Sequence, residues 1–259
     1  MNGATRSQVG NLARRSVVRT MRQPAYILPP LIFPTLLVAV NAAGLKPSTL
    51  LQGFPTDSFL AFAIAVPFVQ GALFATMNAG TDLARDIQTG FLNRLALTPI
   101  RGSALLAGHL AGVVTLGFLQ SVFYVCFALV VGVRFEAGFA GVVVILVLAT
   151  LIAAGFGMFG AFMALRTGSG ESIQAFFPFL FVFLFISSMN TPRNLIEVHW
   201  FKVAATINPV SYLIEGVRSL VITGWDAEAL ALGFGFAIVI GAVSVILASW
   251  ALGQRMART

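Results

Sequence analysis

Long apolar runs separated by short polar breaks dominate the pattern along this chain. They cover residues 24–43, 58–80, 104–133, 139–165, 172–191 and 228–251, and each is long enough to carry a helix across a hydrocarbon layer of about 30 Å. Ahead of the first run, Val9, Leu12, Ala13, Val17 and Met21 keep approximate helical spacing among arginines. That spacing predicts a basic amphipathic helix over residues 1–23, lying on a membrane surface. Between the second and third runs lies DLARDIQTGFLNRLALTPIRGS, residues 82–103, which is too polar for lipid. Within it Leu83, Ile87, Phe91 and Leu95 recur every four positions and predict one amphipathic helix. Thr81 or Asp82 can cap its start, and Thr98-Pro99 ends it, because a residue before proline leaves the helical region. Such a helix either rests on headgroups or docks into a partner protein, and the residues alone leave both open.

Ahead of the last run, residues 192–227 include INPVSYLIEGVRSLVITGW, apolar enough for a membrane yet carrying Glu215 and Arg218. A broken, re-entrant element protected by surrounding protein fits that pattern, and Glu215 and Arg218, three apart, can pair on one helical face. With six spans and the N-terminus inside, eleven of the 16 Lys and Arg residues fall on the inner side. This agrees with the positive-inside tendency and puts both termini in the cytoplasm. A basic start followed by an apolar run also fits a cleaved signal peptide. The length of the run and its prolines Pro24, Pro29, Pro30 and Pro34 favour a retained first span.

Composition narrows the class further. With 58% hydrophobic and 10% charged residues, the chain is no soluble domain, and it reads as one transmembrane domain over 1–259. The net charge of +7 sits beside apolar spans and serves orientation rather than nucleic-acid binding. Cys126 is the only cysteine, which excludes an internal disulfide and a cysteine-rich metal site. The sequence has no GxxxxGK[ST] run, and its only lysines are Lys46 and Lys202, so no nucleotide-phosphate cradle is expected. Neither a catalytic constellation nor a metal-ligand spacing is present, and no charged relay lies at mid-span. The polar groups at membrane depth, Gln70, Asn78, Gln120 and Gln174, are neutral and bond neighbouring helices or line a path. GFGMFG at 155–160 follows no strand, so close packing or a bend is expected there rather than a dinucleotide. Gly108 and Gly112 form a small-xxx-small pattern that lets helices approach, and His109 between them is expected to be interfacial or hydrogen-bonded.

Two runs carry a resemblance. DIQTGFLNRLALTPIRGSALLAG and NPVSYLIEGVRSLVITG resemble the membrane subunits of ABC-type exporter permeases, specifically the bacterial daunorubicin and doxorubicin resistance type. Asn93 stands where that family usually has an acid. The resemblance implies an all-α polytopic fold of six transmembrane helices, with 1–23 as connecting helix and 81–103 as a cytoplasmic coupling helix. Asp82, Arg85, Asp86, Ile87, Gly90, Phe91, Arg94, Leu95, Thr98 and Pro99 would then meet an ATP-binding cassette subunit that holds ATP and Mg, this chain holding no cofactor. Residues 192–227 would be outer re-entrant helices, with Asn208, Pro209, Tyr212, Glu215 and Arg218 as their marked positions. Gln70, Asn78, Phe177 and Phe181 are candidates for a substrate path. A second permease chain, identical or different, would complete an exporter of drugs or other amphipathic compounds in a bacterial plasma membrane. Export of saccharides is the alternative within that family, and a non-transporting membrane anchor or sensor is the alternative outside it.

Overall fold

The structure, a computed structural model, describes residues 3–96 and 102–257. The described residues are helical, without strands: α1 (Gly3–Met21), α2 (Pro24–Gly44), α3 (Phe59–Ala63), α4 (Val66–Gln88), α5 (Phe91–Ala96), α6 (Gly102–Val130), α7 (Gly138–Thr167), α8 (Gly170–Phe185), α9 (His199–Ile207), α10 (Pro209–Ile222) and α11 (Ala227–Met256). Helix α4 runs through the middle of the bundle, buried along most of its length. It packs against α2, α6, α7 and α8, while α11 covers α7 and α10. Helices α4 and α7 approach closely. A side chain at Gly160 would collide with the backbone of Thr76, and the Thr76 hydroxyl donates to the carbonyl of Phe156 at 2.9 Å. The GFGMFG run is thus a packing surface inside an unbroken helix.

Five helices among the described residues are long and apolar enough to cross a membrane: α2, the α3–α4 unit, α6, α7 and α11. The expected span over 172–191 is helical only as α8, which has 16 residues and ends at Phe185. At 1.5 Å per residue it rises about 24 Å, short of the hydrocarbon thickness. The run over 58–80 is also divided, with Pro67 in the first turn of α4 unable to continue the hydrogen-bond ladder from α3.

The four-residue spacing of Leu83, Ile87, Phe91 and Leu95 does not describe one helix. Leu83 and Ile87 belong to the last two turns of α4, and the chain breaks at Gly90, whose φ is +68°. That left-handed conformation is cheap for glycine and ends helices, so α5 starts afresh at Phe91. Helix α1 also departs from a helix resting on lipid alone. It crosses α6 where Leu12 and Ser16 occupy the space that side chains at Gly108 and Gly112 would need.

Proline chemistry explains two further contacts. Proline lacks the amide that would bond the carbonyl four residues back, so Pro30 and Pro34 inside α2 leave the carbonyls of Tyr26 and Pro30 without helical partners. The Asn78 amide of α4 donates to the first at 2.9 Å, and the Tyr124 hydroxyl of α6 donates to the second. Buried carbonyls otherwise left unpaired are in this way satisfied across helices.

Candidate functional site

The last turns of α4 present two faces. Leu83 and Ile87 turn inward to a cluster with Leu92, Leu106, Leu165, Ile173 and Leu252. Asp82 and Asp86, one turn apart, turn toward α1, where Arg15 and Arg19 have the same spacing. The two pairs interlock. Arg15 forks onto Asp86 with bonds of 3.0 and 3.1 Å. Arg19 reaches Asp86 at 2.7 Å through one terminal nitrogen and lies 2.7 Å from Asp82 through Nε. Charges balance, and the forked geometry is the stronger class of ionic hydrogen bond. The acids expected to meet a partner therefore spend their charge on this chain's own first helix, and Ile87 lies in the apolar cluster.

The junction leads directly into α5. The Arg15 guanidinium lies over the Phe91 ring, 3.8 Å from its centre, a cation–π contact between α1 and the first residue of α5. At the turn, Thr89 donates its hydroxyl to the Arg85 carbonyl at 2.9 Å, and the Gly90 amide reaches the Ile87 carbonyl at 3.0 Å. Leu92 anchors α5 in the cluster below, whereas Arg85 and Arg94 are exposed. The Leu95 backbone lies in α5, while its side chain and that of Asn93, together with Thr98, Pro99 and Arg101, lie outside the described residues.

The candidate path residues separate into two groups. Gln70 is fully buried in α4 and Asn78 is occupied by the Tyr26 carbonyl. Phe177 and Phe181 belong to an aromatic series with Phe74 and Phe33 that joins α8, α4 and α2. Neighbouring ring centres are 5.1 Å apart for Phe74–Phe177, 5.0 Å for Phe177–Phe181 and 6.1 Å for Phe33–Phe181.

At the opposite end of the bundle, Asn208 turns α9 into α10. Its side-chain oxygen caps the Val210 amide at 3.0 Å, with Pro209 in the first turn, and its amide donates to the carbonyls of Phe183 and Ile186. Tyr212 donates to the Thr206 carbonyl at 2.8 Å. Glu215 and Arg218 do not pair with one another. Glu215 takes a forked ion pair from Arg193 at 2.6 and 2.8 Å. Arg218, only 6% exposed, donates to the carbonyls of Phe62, Ser188 and Met189 at 2.9–3.0 Å and lies 3.6 Å from the Phe62 ring centre. Its three carbonyl partners come from segments distant in sequence, which spacing rules cannot see.

Residues of these contacts that the sequence reading did not single out as site residues are Arg15, Arg19, Tyr26, Tyr124 and Arg193. A signal existed for two of them, since Pro30 and Pro34 announce carbonyls in need of donors.

Comparison with known proteins follows the same lines. Residues 7–222 match the ABC-2 type transporter family. The chain is 28% identical over 202 residues to the daunorubicin resistance ABC transporter permease protein DrrB1 of Streptomyces coeruleorubidus, covering 75% of this chain and 66% of that protein. It is 24% identical over 241 residues to ycf38 of Cyanophora paradoxa, described as a transport permease, covering 91% of this chain and 82% of that one. A likeness to ycf38 of Porphyra purpurea stands at 25% over 214 residues, 82% of this chain and 72% of the relative. The match spans most of the chain, including both the charged junction and the α9–α10 corner, and the chain belongs to the ABC-2 type transporter family as a membrane permease.

Proposed function

We propose that this chain is the membrane subunit of an ATP-driven exporter and that α5 is the element seated on its separate ATP-binding cassette subunit. The observation that carries the reading is mechanical. The central, buried helix α4 ends in a clamped junction and passes, through one glycine, into a short helix beside exposed Arg85 and Arg94. Displacement of α5 by a partner is transmitted along α4 to every helix packed on it, because a close-packed interior transmits strain. ATP and Mg belong to the partner, whose hydrolysis moves α5. Asp82 and Asp86 act in this scheme as positioning residues that fix α1 against the lever, and Phe91, Arg94, Leu95, Thr98 and Pro99 form the docking surface.

The remaining assignments follow from the same arrangement. Helix α8 and the chain after it complete a sixth crossing, with the α9–α10 corner re-entering from the outer side and both termini cytoplasmic. A second permease chain and lipid cover the apolar outer faces of α2, α8 and α11, which include Ile32, Leu36, Phe179, Phe183 and Ile246. The aromatic series from Phe33 to Phe181 suits a hydrophobic or amphipathic substrate, and DrrB1, by its name, serves daunorubicin resistance. A bacterial plasma membrane is the setting this reading implies.

The experiment is co-purification of the ATPase subunit and export from cells with Phe91→Asp and Leu95→Asp. Burying an uncompensated carboxylate in an apolar groove costs a few kcal/mol, about a hundredfold in affinity. Arg15 lies beside position 91 and can partly compensate a carboxylate there, so Leu95→Asp carries the larger expected loss, and normal membrane levels of each variant separate lost docking from lost folding. Both variants are expected in the membrane at normal levels, without the partner and without export. Normal co-purification and export by both would overturn the proposal.

A further inference from the structure

Beneath the charged junction, four helices enclose a polar hollow whose groups are left without partners. Ser16 and Thr20 of α1, Tyr26 of α2, Asn78 and Asp82 of α4 and His109 of α6 line a cavity of about 20 Å³. Three atoms of these residues are buried with no hydrogen bond: the Tyr26 hydroxyl, Asp82 Oδ1 and His109 Nε2. Arg19 Nε stands 2.7 Å from Asp82 Oδ1 but supplies charge rather than an aligned hydrogen bond. Unpaired buried polar groups are costly, and unpartnered groups lining one hollow imply a guest.

We infer that this hollow is a binding site for one ordered water that joins α2, α4 and α6 beneath α1. The volume is about what a single water requires, and a buried water makes about three hydrogen bonds. The chemistry of the lining accounts for all three. The Tyr26 hydroxyl donates to the water oxygen. The water's two hydrogens go to Asp82 Oδ1 and to His109 Nε2, which is an acceptor when the other ring nitrogen carries the proton. In that tautomer Nδ1 carries the proton and Nε2 is free to accept. A metal cation in the same place is disfavoured, because Arg19 already neutralises Asp82 and a second positive charge would face it at close range. A bridging water is nearly as good as a direct bond and costs little to immobilise. It makes the seam between α4 and α6 a wet joint whose bonds re-form after a small displacement, unlike the direct backbone approach of α4 and α7 at Gly160.

The test is a density map of the full-length chain in lipid nanodiscs at a resolution that shows ordered waters, with a double-mutant cycle on Tyr26→Phe and His109→Leu. The site predicts one peak about 3 Å from the Tyr26 hydroxyl, Asp82 Oδ1 and His109 Nε2. An empty hollow, direct pairing of those atoms, or a peak at the shorter distances of a metal ion overturns it. In the cycle, each single variant lowers the melting temperature, and the double variant falls hardly below the worse single, since either substitution removes the shared water. Fully additive shifts overturn it as well. Neither readout depends on an ATPase partner, so failure here is distinct from failure of the exporter reading.

Discussion

Two arginine-centred regions at opposite ends of the bundle solve the burial of charge in different ways. At the α1–α4 junction, Arg15 and Arg19 meet Asp82 and Asp86 as balanced ion pairs between two helices, with Arg15 partly open to solvent. At the α9–α10 corner, Arg218 is almost wholly buried and meets no carboxylate directly. Backbone carbonyls of Phe62, Ser188 and Met189 take its protons instead. Paired side chains on separate helices can part and re-form, so the α1–α4 junction suits an element that shifts. A guanidinium fork bonded to three carbonyls from distant segments fixes those segments relative to one another, so the α9–α10 region suits a rigid corner. The two runs that carry the resemblance thus fall on contacts of two kinds, paired side chains at one, the joint, and backbone carbonyls at the other, the anchor.

The largest stability effect is expected at the anchor. Arg218→Met leaves three buried carbonyls without donors, at about 1–3 kcal/mol each, and should lower stability by about 3 kcal/mol or more in thermal or detergent unfolding. Arg218→Lys should recover less than half of that, because an ammonium lacks the planar fork. Near-wild-type stability of the methionine variant would show that the corner is not held this way.

At the joint a smaller cost should appear as local opening. Asp86→Asn removes the charge that both Arg15 and Arg19 share, and about 1.4 kcal/mol at such a partly buried site corresponds to tenfold. Trypsin cleavage at Arg15 or Arg19 is the readout, since local opening governs access. It should speed up about tenfold while Arg218-dependent global stability is unchanged. Equal loss of global stability would erase the distinction between joint and anchor.

The smallest effect belongs to the solvent edge of the corner. Arg193 and Glu215 retain 28% and 21% side-chain exposure, so Glu215→Gln should cost about 1 kcal/mol or less and lose its effect at high salt.

Much of this was legible from hydropathy. The runs over 104–133, 139–165 and 228–251 became α6, α7 and α11 within a few residues at most ends, because continuous apolar stretches leave a helix no alternative in lipid. The Thr89-Gly90 break was visible in the letters but masked by an apolar spacing of four that happens to continue across it. Residue pairs were not legible. Arg19 is 67 positions from Asp86, and Arg218 is 156 from Phe62, and only tertiary packing decides such partners. The tempting near pair, Glu215 with Arg218, lost to Arg193, which reaches Glu215 from the chain between α8 and α9 while carbonyls take up Arg218. For Asn78 the letters left open a bond to a neighbouring helix or a place on a path, because a neutral amide at membrane depth is ambiguous, and its amide donates to the Tyr26 carbonyl that Pro30 leaves free.

The most direct test of the central claim is cross-linking of α5 to the ATPase subunit. In a Cys126→Ser chain co-expressed with its ATP-binding cassette partner, a single cysteine replacing the exposed Arg94 should be joined to that partner by a short bifunctional reagent, and nucleotide should change the yield. A cysteine replacing Lys202 in α9 should give no such product and should be labelled only from the outer side. Cross-linking from position 202 but not from position 94 would contradict the account, since the partner would then sit at the anchor and not at the joint.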